Sequence, residues 1–393
     1  MEDVGPEMAC YGEPLVQTPN IDRLAREGVR FTNAHTTAPV CSPSRSALIT
    51  GMYQTSMGAH QHRTWDKKPL PAGVDVVTNH LRKAGCFAVL SGRGPNKKDN
   101  KSSGSAGSGK TDFNFLIDKP FDGYDWDQRK LGQPFYAHLS LAESHRGPGW
   151  PLARATLKNL IDPNKVKLPP IWPDHPVARD DYANYLDAIQ LCDAYVGEIL
   201  RRLEKEKLLE STVISFMGDN GQCSHRGKQF LYDGGTHVPL IVRFPDKCQA
   251  GQVREDLVVH IDMTAATLRL AGITPPATMQ GQDLFAPDFK RDIIFTARDR
   301  MDISTDRMRA VRTRQFKYIR NFYPMIPYMQ HNDYKEKQYP VWNLIKQLKA
   351  QGTLGKELLL FAGETKPIEE LYEWSGHRSG RRGRARRHDP SCQ

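Results

Sequence analysis

Short apolar runs alternate with helical segments from residue 18 to residue 272, and this alternation restricts the chain to a layered α/β architecture. Thr18 is an N-cap candidate, Pro19 occupies the first helical position and Gly28 closes the segment. A short strand over 29–34 follows, then a helix opening at 44–50. Residues 74–84 read as an amphipathic helix ended by Gly85, and 86–90 as an apolar strand. Strands at 134–142, 212–217 and 238–244 alternate with helices at 180–209 and 262–270. The expected fold is α/β: a doubly wound, mostly parallel sheet flanked by helices, with functional groups at the carboxyl ends of the strands. After residue 285 the texture changes. Strands at 292–297, 308–313 and 315–320 predict a smaller C-terminal subdomain built on an antiparallel sheet. The expected division is 1–285, 286–372 and a tail over 373–393.

The charge is concentrated in that tail. The formal net charge is +10, and residues 376–389 hold six Arg and one Asp, giving +5 of it. No aromatic residues interleave with these arginines, so the tail reads as a solvated, disordered end and no specific nucleic-acid partner is expected. No run of 18 apolar residues occurs, which predicts no membrane span, and Met1 is not followed by a signal-like segment. The seven cysteines include no C-x-x-C pair, which argues against a zinc ribbon or a thioredoxin-like site. The loop composition of 91–108 reads as an insertion.

One cysteine has an unusual context. Ala38-Pro39-Val40-Cys41-Ser42-Pro43-Ser44-Arg45 runs on to Thr50-Gly51, which sets Cys41 near a helix N-terminus, where an anion is favoured. Gly218-Asp219-Asn220-Gly221 follows a continuous apolar strand, and Glu143-Ser144-His145 follows another. Taken singly, the first is a turn and the second a structural histidine. Glu2-Asp3, Gly109-Lys110-Thr111-Asp112 and Arg226-Gly227-Lys228-Gln229 complete an ordered series of landmarks. Together they resemble the sulfatase family over residues 2–372. The nearest flavour is the bacterial sulfatases related to heparan N-sulfatase, carried by Thr111-Asp112-Phe113-Asn114-Phe115 and the region 328–346.

The resemblance implies a sulfatase acting on sulfate esters or N-sulfates of a small molecule or glycan. Cys41 would be oxidised to formylglycine by a generating or maturase enzyme, and one hydroxyl of its hydrate would attack sulfur while the other expels sulfate. Calcium would bind Glu2, Asp3, Asp219, Asn220 and the residue at Cys41, all oxygen donors once Cys41 is converted, as a hard dication requires. Arg45, Lys110 and Lys228 would supply fixed cations for a tetrahedral anion, and His145 would protonate the leaving atom. Many relatives carry His where Asp112 stands. His60, His62, His225 and His237 are the further substrate-binding candidates. The family implies a periplasmic or secreted site. Its opening strand is missing here, so Glu2 and Asp3 are expected on a frayed terminus. Two other readings remain open: a phosphonate or phosphate monoester hydrolase of the same superfamily, and a truncated, inactive homologue.

Overall fold

The structure is a computed structural model and describes residues 1–91 and 109–373. Of the predicted loop over 91–108, residues 92–108 lie outside the described residues, as does the basic tail beyond 373. Two of the sheets in the body position the site. One orders its strands β4-β5-β1-β6, where β1 is Val29–Phe31, β4 Ile214–Met217, β5 Leu240–Arg243 and β6 Gln252–Arg254. The other pairs β2 (Phe87–Ser91) with β3 (Phe135–Leu139) in parallel. Helices flank both. The α/β class and the helix order follow the sequence reading. The pairing is more mixed than expected, because β5 runs antiparallel to both β1 and β4.

The predicted helix starts fit local chemistry. Pro19–Glu27 begins at Pro19, and Asp193 on the long helix Pro176–Lys205 accepts hydrogen bonds from Asn20 N and Ile21 N, groups that no intrahelical carbonyl can satisfy. The Cys41–Thr50 helix starts three residues earlier than read, at Cys41 itself. Gly51 ends it at φ +68°, and a Cβ there would stand 2.8 Å from Met279. Only glycine fits both demands.

The long helix Pro176–Lys205 organises the largest apolar core. Tyr182, Leu186, Ile189 and Leu200 pack with Val4, Met8, Trp126 and Trp150 from the body and with Trp342, Ile345 and Phe361 from beyond residue 285. Each such side chain contributes roughly 1.5–3 kcal/mol on burial, so the C-terminal region is bound to the body by a shared core. It nevertheless has its own antiparallel sheet, ordered β7 (Ile294–Arg298), β8 (Met308–Arg312), β9 (Phe316–Asn321) and β10 (Glu369–Glu373). The fourth strand was not read from the sequence: Glu369-Glu370-Leu371-Tyr372 is too charged to signal one.

The expected frayed terminus is corrected. Glu2, Asp3 and Val4 are fully buried. Their backbone bridges the ends of the two sheets: Glu2 N donates to Leu141 O at 2.9 Å, Val4 N to Asn220 O at 3.0 Å, and the Met1 amine to Met217 O at 2.9 Å. Hydrogen bonds on both sides hold these residues where extended chain joins β3 to β4, so the acidic pair is fixed without a strand of its own.

Candidate active site

The Cys41 helix meets the carboxyl ends of β3 and β4, and the serines of its motif tie that junction together. Ser44 Oγ donates to Asp219 O and also contacts His260 Nε2 at 3.0 Å. Ser46 Oγ accepts from Asn114 N at 2.9 Å, which seats the Lys110–Asn114 loop. Ser42 Oγ accepts from Arg63 N at 3.3 Å. Each serine therefore fixes a different loop. No side chain caps the helix N-terminus, so its free N–H groups stay available for an anion.

Cys41 is completely buried. Its Sγ lies 3.5 Å from Asp3 Oδ1 and 3.3 Å from Lys228 Nζ. Burial, with Asp3 adding to it, pushes the thiol far above its ordinary range. It is therefore protonated and a poor nucleophile as it stands.

Around it charges pair off. Lys228 Nζ donates to Asp3 Oδ2 at 2.7 Å and to His145 Nε2 at 3.2 Å. Lys110 Nζ donates to Glu2 Oε2 at 3.0 Å. Arg45 donates from Nε to Asp219 Oδ2 at 3.0 Å and sets Nη2 3.3 Å from Glu2 Oε1. Burial opposes the charge on Glu2, but Arg45 and Lys110 hold its carboxyl down at about 2. Asp3 is likewise held far below the carboxylate range, with the Lys228 ammonium and, further off, Lys110 outweighing its burial.

The donor set fits a hard cation. Asp3, Asp219 and Cys41 offer ligand atoms within 4.8 Å of one another, as do Glu2, Cys41 and His145. Asn220 Oδ1 is buried with no hydrogen-bond partner, an orphaned oxygen that a metal would satisfy.

Backbone strain concentrates here. Eight described non-glycine residues have positive φ, and Asp3, Arg63, Asp112, Gln229 and Asp302 all stand in or beside this cluster. Above Lys228 and His145 opens a cavity of about 260 Å³ lined by His62, Arg63, Asp302, Ile303, Asp333 and Tyr334, among others. A larger cavity of about 810 Å³, between Lys165–Arg179 and Leu348–Leu358, lies away from the charge cluster.

The structure brings together Glu2, Asp3, Cys41, Arg45, Lys110, His145, Asp219, Asn220 and Lys228, and places His62 on the cavity wall. Asp112 sits between Lys110 (3.9 Å) and Arg63 (3.4 Å). Three histidines expected at the substrate are elsewhere, and this is a correction. His225 is buried, bonded to Ile171 O and packed edge-on against Trp172. His237 bonds Thr32 O and stacks on His35. His60, adjacent in sequence to the correct loop, does not line the cavity. Ring packing and one backbone acceptor account for the first two.

Sequence reasoning missed two positioning residues. Arg146 forms a bidentate pair with Asp181 (2.6 and 2.8 Å), lies between Trp150 and Tyr339, and donates to Cys223 O. Lys335, fully buried on the helix Asp333–Gln338, donates to Ser224 O and Lys228 O, both at 3.0 Å. Adjacency to His145 was the one available signal for Arg146. Lys335 offered none.

The chain is similar to known proteins over most of its length. The family model "Sulfatase" matches residues 1–122 and 115–273, and "N-sulphoglucosamine sulphohydrolase, C-terminal" matches 221–358. An ulvan-active sulfatase of Formosa agariphila is 31% identical, over 95% of this chain and 68% of that protein. Human N-sulphoglucosamine sulphohydrolase is 27% identical, over 85% of this chain and 74% of that protein. The chain thus spans about two thirds to three quarters of the length of these relatives. The fold resembles that of a protein solved with its substrate D-glucosamine-2-N,6-O-disulfate (TM-score 0.60, 20% identity, 92% of this chain and 95% of that one). It equally resembles that of a phosphonate monoester hydrolase from Silicibacter pomeroyi (TM-score 0.61, 18% identity, 92% and 96%). Among the described residues no helix is long and apolar enough to cross a membrane.

Proposed function

Given that this chain belongs to the sulfatase family, we propose that it hydrolyses sulfate esters or N-sulfates of sugars, using a formylglycine made from Cys41 and a bound calcium ion. The observation that carries the reading is the state of Cys41. It is a fully buried thiol with no nucleophilic character of its own, set at an uncapped helix N-terminus among three fixed cations and a set of oxygen donors. That surrounding is wasted on a thiol and suits an oxygen nucleophile attacking a tetrahedral anion.

A formylglycine here would supply a hydrated aldehyde, one hydroxyl for attack on sulfur and the other for release of sulfate. Calcium held by Glu2, Asp3, Asp219 and Asn220 would supply positive charge at the attacking and sulfuryl oxygens. The residues themselves do the rest. The carboxylates Glu2, Asp3 and Asp219 already balance Arg45, Lys110 and Lys228. A dication therefore leaves an excess of positive charge for the sulfuryl group. Arg45 holds Asp219 and Glu2 in place, and Lys110 and Lys228 face the anion.

Proton delivery runs through His145, beside the fixed charge of Lys228. The Lys228 ammonium donates to His145 Nε2, while Nδ1 lies 3.0 Å from Arg146 O, which assigns the ring proton to Nδ1. The neighbouring Lys228 charge, then burial, keep the imidazole pKa below its ordinary value. His145 therefore rests neutral. Against its burial, Asp3 holds the Lys228 ammonium well above its ordinary range, so Lys228 keeps its proton. His145 takes one from solvent as the anion arrives and passes it to the leaving oxygen or nitrogen. Because Cys41 is inaccessible in the folded chain, a generating enzyme would act before folding closes over it. We place the reaction outside the cytoplasm, in the periplasm or medium, as the family resemblance implies.

Mass spectrometry of the Cys41 peptide from a converting host tests the reading, alongside calcium content and turnover of aryl sulfate, phosphate and phosphonate esters. The expected result is an aldehyde at Cys41, bound calcium and preference for the sulfate ester. An unmodified thiol throughout overturns it. Preference for the phosphonate ester would move the assignment to the phosphonate monoester hydrolases, whose fold is equally similar.

A further inference from the structure

The cavity above Lys228 has a wall that the reaction just described does not use. Two loops form it, residues 61–63 and 300–304, and each carries one residue with a left-handed backbone: Arg63 at φ 52° and Asp302 at φ 50°. Neither is glycine, so each conformation costs on the order of 1 kcal/mol and persists only if the surroundings enforce it. Arg300 enforces both. Its guanidinium donates to Asp302 O at 2.6 Å, His62 O at 3.0 Å, Arg63 O at 3.4 Å and Gln61 Oε1 at 3.2 Å, while His62 N donates back to Arg300 O. Paired hydrogen bonds between Met301 and Ser304 stiffen the turn that presents Asp302.

What this staple presents is a set of underused polar groups. His62 is almost wholly buried, and its Nδ1 has no hydrogen-bond partner. Its Nε2 stands 3.9 Å from Asp302 Oδ1, too far for a hydrogen bond. Burial and then the Arg63 charge hold the imidazole pKa down at about 2, so it is neutral, with one donor and one acceptor nitrogen. The Arg63 side chain is 56% exposed and engages Asp112 only at 3.4 Å, which leaves most of its donors free at the cavity mouth. A guanidinium so placed matches a carboxylate or sulfate by two parallel hydrogen bonds. Asp302 and His62 together match ring hydroxyls.

We propose that His62, Arg63 and Asp302 form a saccharide-recognition subsite, held in shape by Arg300, that selects substrates carrying a second anionic group besides the sulfate being removed. This rests on the sulfatase reading. It adds that the chain discriminates polyanionic sugars from singly charged ones, and that the discrimination resides in two loops more than 230 positions apart in sequence.

The test uses the full chain and four sulfated probes: a small aryl sulfate, a neutral monosulfated monosaccharide, a disulfated monosaccharide and a monosulfated disaccharide containing a uronate. The last two distinguish a second sulfate from a carboxylate as the group read by Arg63. In Arg63→Gln, KM for at least one doubly anionic probe is expected to rise roughly 10-fold or more, with kcat and aryl sulfate turnover little changed. Asp302→Asn is expected to raise KM for all three saccharides and to spare the aryl ester. Arg300→Met, which removes the staple without touching substrate, is expected to reproduce both KM effects at unchanged kcat on the aryl sulfate. Calorimetric binding of the doubly anionic probes to Cys41→Ala, with and without Arg63→Gln, reads the subsite without turnover and so separates its failure from that of the sulfatase assignment. Equal losses on all four probes, or no loss on either doubly anionic one with no change in their binding, would overturn the proposal.

Discussion

The floor of the site and its wall are built on opposite principles. On the floor, Asp3, Glu2, Arg45, Asp219 and Lys228 are almost completely buried, and each charge touches an opposite one within 3.3 Å. On the wall, Arg63 and Asp302 are partly open to solvent, their side chains make few contacts, and their order comes from backbone bonds to Arg300. The floor is held by charge pairing that no single member can leave without stranding a buried partner. The wall is held by backbone geometry, so its side chains can change without loss of the frame. On the proposed reading, the difference separates chemistry, placed on the floor, from selectivity, placed on the wall. A floor of interlocked charges tolerates one arrangement, whereas a stapled wall can carry different side chains.

The comparison is broken most directly at the floor. Cys41→Ala is expected to lower aryl sulfate turnover roughly 10³-fold or more, measured against a mock-converted control. An equal loss from any wall variant on that small ester would erase the distinction. Next, chelation of calcium, or Asp219→Asn, is expected to abolish turnover and lower the melting temperature, because a ligand that binds only the folded chain stabilises it. Calorimetry in chelator against calcium buffer checks this, and unchanged melting would remove the metal from the floor. A middle-sized effect is expected at Lys335→Met. Two buried carbonyls, Ser224 O and Lys228 O, lose their donor, which costs about 1–3 kcal/mol. Turnover at a temperature well below melting is expected to fall about 10-fold through displacement of Lys228, with KM for aryl sulfate little changed.

The smallest expected effect lies outside the site and calibrates the others. Burial opposes ionisation of Glu27, but Arg23 and Arg243 hold its carboxyl at about 2, below its ordinary 4.5. The folded chain therefore binds fewer protons than the unfolded chain between those values. The stability from this group is complete above about 4.5 and is lost as pH falls towards 2. Glu27→Gln is expected to flatten the decline of melting temperature with pH in that window and to leave activity at neutral pH unchanged. A steeper decline would contradict the sign.

Much of the floor was legible in the sequence, and the reason is local. Cys41, Ser42, Ser44, Arg45 and Ser46 lie on one helix turn after another, so their spacing fixes their relation to the helix start. Asp219-Asn220 and His145 follow apolar strands, where an α/β sheet places its functional ends. Other residues were misjudged because sequence gives a side chain's neighbourhood along the chain and not its direction. His225 and His237 flank Lys228 at three and nine positions, yet Trp172 and His35 hold their rings away from the cavity. Glu2 and Asp3 were expected to fray, since no sequence rule shows that Leu141 and Asn220 would hold them from both sides.

The sequence by itself determined the α/β alternation, a helix over 44–50 just after Cys41 and the inventory of acids and cations that gather around that residue. Periodicity and contiguous spacing specify such features because they act over a few residues. Only the tertiary structure decided which of those groups meet. It buried the N-terminal acids between two sheet ends, turned two histidines into packing residues, and used Arg300 to bring residues 61–63 against residue 302. The physical reason is that hydrogen bonding and close packing between distant loops fix side-chain direction, and that information exists only once the sheets have closed.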